Sequence, residues 1–397
     1  MKHRPVIRII GGGPAGLIAA DILAVHCDVH VHEQGRQVGR KFLVAGEGGL
    51  NITNAAEGDS LAGWYTPADR MRPLLEAFGP EALRAWLLDL GVPTFVGTSG
   101  RVFPERGIKP AQVLQAIKRR LADRGVRIHT RHAFTVFDER GRPVVEGEGH
   151  RGPLEADATL FALGGASWPV TGSTGSWVAP FREFGIRVNE LRPSNCGVEL
   201  PMTDALVTHA GKPLKNIDVR SGPIRVRGEA TITAHGLEGN AIYPVVPAVR
   251  AAMAAGEEPT LELDLKPDVA QEELERRLAG AAWKERMAAL KLDRPQVALL
   301  KAFTPQHRFM DGAHLAHDVK HLRIPVSGLR PIAEAISTAG GIAWDELDDE
   351  LSLKHHPHLF VAGEMIDWDA PTGGFLLQGC FTTGHAAAMG ILRRVVQ

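Results

Sequence analysis

The sequence is poor in the features that mark several protein classes. Its three cysteines, Cys27, Cys196 and Cys380, are far apart and form no C-x-x-C pair. That disfavours a dithiol centre or a zinc site and fits a reducing compartment. The formal net charge is −1, so no global basic field exists and nucleic acid is not expected as a partner. No apolar run reaches membrane-spanning length, and no membrane partner is expected. Lys2 and Arg4 are followed by no usable leader core, because Gly11–Pro14 interrupts the apolar stretch; a cytoplasmic location is the resulting expectation. Internal repeats and low-complexity tracts are missing too. What remains is 397 residues, 44% hydrophobic and 23% charged, ordinary for a globular chain of two or three domains.

Against that background one stretch stands out, "VIRIIGGGPAGLIAADILA", from Val6 to Ala24. Val6 to Ile10 is short, apolar and rich in β-branched residues, as a buried parallel strand should be. Gly11, Gly13 and Gly16 then form G-x-G-x-x-G with Pro14 and Ala15 between them. The Ala-rich run from Leu17 suits a helix packed on a sheet. Gly11 permits the tight turn, Gly13 lets a pyrophosphate approach the backbone, and Gly16 lets the helix lie close. The helix start offers free N–H groups and a positive dipole end. A second short strand, "DVHVHE", ends in Glu33, placed to accept from a ribose hydroxyl, with Gln34 beside it. The turn is therefore read as a dinucleotide site.

Two further segments share this form of an apolar strand ending in glycine: Phe161–Gly165 and Phe360–Glu364. In a doubly wound sheet, ligands sit beyond the carboxyl ends of the strands. Three such ends would ring one elongated ligand. Gly363 and Glu364 place a carboxylate near a turn, where it can bind a ribityl hydroxyl. "TGGFLLQ" then supplies a second helix N-terminus at Gly374, able to stabilise negative charge on a reduced flavin ring. NAD needs neither feature; an FAD stretched across the domain needs both. The texture changes near Arg192, where short strand-like runs give way to a charged helical part, and strand–turn–helix logic returns at "STAGGI". The expected fold is α/β. A discontinuous Rossmann-like FAD-binding domain (1–191 and 336–397) carries an inserted β-barrel-like and helical domain (192–335).

The runs "GGGPAGLIAA", "GRKFLVAGEGGLNITN", "GRVFPE", "ALGGASWPVTGSTGSW", "STAGGI" and "VAGEMIDWDAPTGGFLLQGCFTTGHAAA" make the resemblance specific. The chain resembles the two-dinucleotide-binding-domain flavoproteins, and closely the YhiN-like family of BaiN-like reductases and aminoacetone-oxidase-like enzymes, from residue 11 to residue 388. Family members commonly carry Ser-Gly-Gly-Gly-Arg-Cys-Asn after Gly-Arg-Lys. Here the run is "AGEGGLN", and Gly49 and Leu50 stand at the Arg and Cys positions. The sequence thus looks like a divergent branch. Carried over by position, the resemblance implies that Gly11, Gly13 and Gly16 hold pyrophosphate and Glu33 the adenosine ribose. Arg40 and Lys41 reach phosphate or the loop above it. Asn51 and Thr53 lie near the flavin, and Gly164 and Gly165 let the chain pass under it. Glu364 faces the ribityl or pyrophosphate region, and Gly374, Phe375 and Leu376 the pyrimidine edge. The strand at His132–Phe134 offers backbone groups to adenine.

The function expected is that of an FAD-dependent oxidoreductase on a small organic substrate, reductase or dehydrogenase before oxidase, with the substrate between the two domains because pockets favour domain interfaces. FAD is expected to be non-covalent. With no second G-x-G-x-x-G, a nicotinamide would serve as a transient donor. The alternatives are an amine oxidase using oxygen, a flavin-dependent tRNA-modifying enzyme, and a non-catalytic flavin sensor. The oligomeric state and the catalytic acid or base are not fixed by the sequence. His314, His317 and His321 share a helical face, read as solvated rather than metal-binding. Cys380 is read as a small helix residue. Trp168, Trp177 and Trp368 either stack on a ligand or belong to the core. His235 is either an acid/base or a structural turn residue, and Arg101 either a surface hairpin residue or a ligand for an anionic substrate group. A bulky residue at Gly374 is expected to disturb the flavin while sparing the fold.

Overall fold

The structure is a computed structural model, describing residues 4–45, 49–97, 99–147, 149–282 and 285–396. The chain divides into two compact units, Met1–Arg192 with Ser337–Gln397, and Pro193–Ile336.

The first unit is built on a six-stranded sheet. Across it run Ser352–Leu353, His356–Val361, Ala158–Phe161, Val6–Ile10, Asp28–Glu33 and Arg127–Thr130. The last five are mutually parallel, and Ser352–Leu353 pairs antiparallel at the edge. The central strands must be apolar on both faces, because each is flanked by a hydrogen-bonded neighbour and covered above and below. Ile7, Ile9, Ile10, Leu160 and Phe161 are accordingly buried. The strand Asp28–Glu33 departs from this rule. Val29 and Val31 alternate with His30 and His32, and all four are buried.

The helix Pro14–Leu23 packs closely against the terminal helix Phe375–Val395. A Cβ on Gly384 would lie 2.4 Å from the Ala15 carbonyl oxygen and 2.8 Å from the Ala15 Cα. The two backbones therefore meet where glycine leaves room. The terminal helix is long and apolar enough, by length and composition, to cross a membrane, although no spanning run was expected from the sequence. Its apolarity has a second cause: Phe381, Ala387, Ala388 and Ile391 are buried in the core of this unit.

Two small antiparallel sheets complete the unit. One joins Thr53–Asn54, Arg101–Pro104 and Thr94–Val96; the other joins His132–Phe137, Pro143–Gly147 and His150–Pro153. The "STAGGI" run, where strand–turn–helix logic was expected to return, is the strand Ser337–Ile342, buried at every residue.

The second unit holds a seven-stranded antiparallel sheet. Its order is Leu322–Pro325, Thr260–Asp264, Pro213–Ser221, Ile224–Ile232, Gly236–Glu238, Val198–Glu199 and Gly328–Leu329. Helices including Gln271–Ala279, Arg294–Phe303 and Gly312–Lys320 accompany it. Leu214, Val219, Leu261, Leu263, Leu300 and Val319 belong to a core of its own. His314, His317 and His321 lie beside three different carboxylates, Asp311, Asp318 and Glu262. His235 is exposed in a turn whose backbone is anchored on Thr233.

The helix contact at Gly384 gives a stability prediction. Gly384→Ala forces a methyl into the Ala15 backbone, and overpacking of this kind costs about 1–3 kcal/mol. The unfolding free energy from urea titration should fall by that amount and the midpoint should drop with it; an unchanged midpoint would show that the two helices part without cost.

Candidate functional site

The parallel register brings the predicted strand ends together. Ile10 pairs with Phe161 on one side and His32 on the other, and Phe161 pairs with Val361. The chain therefore leaves the sheet side by side at Gly11, Glu33, Ala162 and Ala362. A cleft opens at this edge, lined by Gly11, Gly13, Pro14, Glu33, Gln34, Arg40, Lys41, Phe134 and Gly164 among the predicted residues. Its empty space, open mouth included, is ≈ 810 Å³.

The glycines act at different points. Gly11 has φ +113°, and a Cβ there would lie 2.1 Å from the Ala162 carbonyl oxygen. At Gly16 a Cβ would lie 2.1 Å from the Gly11 carbonyl oxygen, so the third glycine seats the helix on the turn. Gly13 is the opposite case: a Cβ would meet no atom within 4 Å. Gly13 is also the N-cap of the helix, and no side chain caps it. The helix start therefore faces open space with donors unused, as an anion site requires.

Glu33 is no surface group. Its two oxygens accept the Gly12 N–H at 2.9 Å and the Gly35 N–H at 2.7 Å. A carboxylate accepts about four hydrogen bonds, so it keeps capacity for hydroxyl donors. Gln34 donates to the Gly172 carbonyl and Arg40 to the Val170 carbonyl at 2.6 Å, so both fasten the 169–172 turn over the strand ends. Lys41 Nζ donates to Ser167 Oγ at 2.6 Å and to Glu364 Oε2 at 2.9 Å. Glu364 also accepts from the Gly165 N–H at 3.3 Å and the Thr338 N–H at 2.9 Å. The Glu364 carboxylate thus joins two other predicted residues, Lys41 and Gly165, with Thr338, which sequence reasoning missed. Phe134 sits edge-on to Phe161, with ring centres 5.2 Å apart.

The remaining predicted residues form a second group, not among those lining the cleft. Thr53 is fully buried and donates through Oγ1 to Gln378 Oε1 at 2.6 Å. Asn51 Oδ1 is buried without a hydrogen-bond partner. A Cβ on Gly363 would lie 3.2 Å from Ala15 Cβ, linking that turn to the first helix. Gly374 is the uncapped N-cap of the terminal helix, and the Tyr65 hydroxyl donates to the Phe375 carbonyl at 2.7 Å. Leu376 follows, partly buried, in the first turn. Of the divergent "AGEGGLN" run, residues 46–48 lie outside the described residues. Leu50, where the family has Cys, is buried.

One expectation fails here. Gly374 has φ +96°, and a Cβ would lie 2.3 Å from the Thr53 carbonyl oxygen and 2.7 Å from its Cα. A bulky residue collides with backbone rather than with a ligand, so it cannot spare the local fold. The tryptophans also separate. Trp177 and Trp368 are buried, and their indole N–H groups donate to the Gly164 and Gly363 carbonyls, both at 2.9 Å. Trp168 is the exposed one, at φ +55°. Burial pushes the Cys380 thiol up to about 12, so it holds no thiolate near neutral pH.

The sequence reading passed over a ladder of four histidines that ends at the cleft. His30 Nδ1 lies 3.0 Å from His129 Nε2, and His32 Nδ1 lies 3.3 Å from His132 Nδ1. His32 stacks on His129 with ring centres 4.8 Å apart. The alternating histidines of "DVHVHE" were the available signal. Burial first, then the Arg8 and Arg127 charges, hold His30 at about 4. Burial and the neighbouring His129 hold His32 at about 3. His30 and His32 are thus neutral at neutral pH. His32 Nε2 and the buried Ser173 Oγ, both on cleft-lining residues, have no hydrogen-bond partner among the described residues.

A parallel sheet whose carboxyl edge carries an open glycine turn and a carboxylate anchored by backbone N–H groups defines a Rossmann-type dinucleotide-binding protein. More particularly, the chain belongs to the HI0933-like protein Rossmann domain family, whose model matches residues 5–390. It is 25% identical to a 3-dehydro-bile acid delta(4,6)-reductase of Clostridium scindens, over 98% of this chain and 99% of that one. It is 22% identical to a ribosomal RNA dihydrouridine synthase of Haemophilus influenzae, over 97% and 98%. It shares its fold with the 3-ketosteroid delta1-dehydrogenase of Sterolibacterium denitrificans, at TM-score 0.54 and 13% identity over 98% of this chain and 99% of that one. The fold is also that of a flavocytochrome c3 fumarate reductase, at TM-score 0.52 and 13% identity over 100% and 79%.

The ladder fixes a pH dependence. Both histidines have folded values below the ordinary 6.5, so the unfolded chain binds more protons below that pH. Their contribution to stability is complete above pH 6.5 and is lost as pH falls towards 4. The urea midpoint should be level above pH 7 and decline between pH 6.5 and 5, before unfolded carboxylates titrate. His30→Gln should flatten that decline; an identical slope in the variant would remove the ladder as its cause.

Proposed function

We propose that the chain is an FAD-dependent oxidoreductase acting on a small organic substrate, in the direction of reduction or dehydrogenation. The observation that carries this is the open, uncapped helix start at Gly13 beside the anchored Glu33 carboxylate, at the carboxyl edge of a parallel sheet. The buried, partnerless Ser173 Oγ and Asn51 Oδ1 add groups that await a ligand. In this reading Gly11, Gly13, Pro14, Ala15 and Gly16 hold the pyrophosphate through backbone N–H groups. Glu33 and Gln34 hold the adenosine ribose, and Phe134 flanks the adenine. Arg40, Lys41, Gly164, Gly165, Gly363 and Glu364 shape the middle of the site, and Asn51, Thr53, Gly374, Phe375 and Leu376 its flavin end. When bound, FAD supplies hydride or electron transfer.

The name of the Clostridium scindens relative favours a reductase of carbon–carbon double bonds near a carbonyl. A second reading, a flavin-dependent RNA-modifying enzyme, has the name of the Haemophilus influenzae relative in its favour and the net charge of −1 against it. Phosphate contacts require clustered cations.

The test begins with the visible spectrum of the purified protein. A yellow chromophore of FAD mass, released by heat or acid, is expected; a colourless protein that FAD does not reconstitute would overturn the reading. Anaerobic mixing with NADH and NADPH should bleach the flavin with one of them, which identifies the donor. Ribosomal RNA from a deletion strain that has lost a dihydrouridine would favour the second reading. Glu33→Gln removes a charge-assisted hydrogen bond worth about 1.5–3 kcal/mol, so FAD affinity should fall about 10- to 100-fold. Unchanged affinity would take Glu33 out of the ribose site.

A further inference from the structure

The strand Arg101–Pro104 pairs with Thr53–Asn54, and Asn54 stands opposite Arg101. Asn54 Nδ2 donates to the Gly373 carbonyl at 3.3 Å. Arg101 Nε lies 3.9 Å from the position a Cβ would take on Gly373. Arg101 is therefore held at the Gly373–Gly374 turn, where the 21-residue terminal helix begins. Its backbone is fixed by the pairing to Asn54 and by its carbonyl, which accepts the Gly97 N–H at 2.8 Å.

The side chain is partly buried, and its guanidinium has no hydrogen-bond or ion-pair partner among the described residues. The other cations of this region are used internally. Lys41 pairs with Glu364, and Arg40 donates to the Val170 carbonyl. A guanidinium carries five donors in a planar fork that matches a carboxylate. Leaving all of them unmet at a partly buried position, beside the positive end of a long helix, is unfavourable unless an anion arrives. Among the described residues, the surrounding loops supply none.

We propose that Arg101 is a specificity-determining residue that binds the carboxylate of an anionic substrate at the flavin end of the site. This rests on the FAD reading for its position next to the ring, but not for its chemistry. The fork geometry favours a carboxylate over the flavin's own pyrimidine edge, because the helix N–H groups at Phe375 and Leu376 already serve that edge in the proposed arrangement.

The test uses full-length protein and three carboxylates as probes: acetate, succinate and benzoate. Binding is read by calorimetry, and FAD content by the visible spectrum of the same samples. Wild type should bind at least one probe. Arg101→Met should weaken that binding at least tenfold with FAD content unchanged, and Arg101→Lys, which keeps charge but loses the fork, should fall between. Absence of carboxylate binding by wild type, or equal affinity in Arg101→Met, would overturn the proposal. A lowered flavin potential in Arg101→Met with unchanged carboxylate binding would overturn it too, by assigning the guanidinium to the ring. If Arg101→Met does not fold, Arg101→Lys and Arg101→Gln carry the same comparison. A wild type that binds carboxylate but no FAD would fail the underlying reading and leave this one standing.

Discussion

The site depends on backbone meeting backbone where side chains are missing. Gly11 against the Ala162 carbonyl, Gly16 against Gly11, Gly374 against Thr53 and Gly384 against Ala15 each leave 2.1 to 2.4 Å between a carbonyl oxygen and the place a Cβ would occupy. None of these contacts tolerates one added carbon without a shift. Together they fix the glycine turn to the adjacent strand end, the first helix to the turn, and the last helix to both. Residues more than 300 positions apart are thereby held in one arrangement. Gly13 is the exception that gives the arrangement its use, since the space above it is open.

Polar groups lock what the glycines allow. Lys41 and Glu364 are separated by 323 positions and pair at 2.9 Å, with the carboxylate nearly buried. Burying such a pair is costly unless its remaining lone pairs are satisfied. Here the Gly165 and Thr338 N–H groups satisfy them, while Ser167 accepts from the ammonium. The pair therefore functions as a tie between four segments, and the desolvation it suffers is offset by hydrogen bonds that also order the loop below the cleft. Glu33 does the same for the Gly12 and Gly35 turns.

The parts of this that were legible in the sequence are the local ones. A β-branched run, a glycine turn and an Ala-rich helix are periodic and contiguous, so Val6–Ala24 could be read directly, and the same form marked Phe161 and Phe360. That three ends belong to one edge follows from doubly wound topology. The illegible parts are long-range. Nothing near Lys41 indicates that Glu364 is its partner, and nothing near Gly374 indicates that Thr53 leaves it no room. The terminal helix is apolar because it is buried in this core, a cause that composition cannot separate from a membrane. The alternating His30 and His32 were visible but carried no motif; their meaning comes from His129 and His132, about a hundred residues away.

The charges at the carboxyl edge sort by whether the protein already answers them. Glu33 and Glu364 are met by N–H groups, Lys41 by a carboxylate, and Arg40 by a carbonyl. His30 and His32 are kept neutral at neutral pH, chiefly by burial. Among the described residues, the positive groups left unanswered are two helix starts without caps and the Arg101 guanidinium. Beside them the buried Ser173 Oγ, His32 Nε2 and Asn51 Oδ1 also lack a partner among the described residues, and each unmet buried polar group costs stability. The physical requirement the positive groups share is an elongated ligand with negative charge near one helix start and acceptor or anionic character near the other. The proposed FAD meets that requirement at both turns, Gly11–Gly16 and Gly373–Leu376.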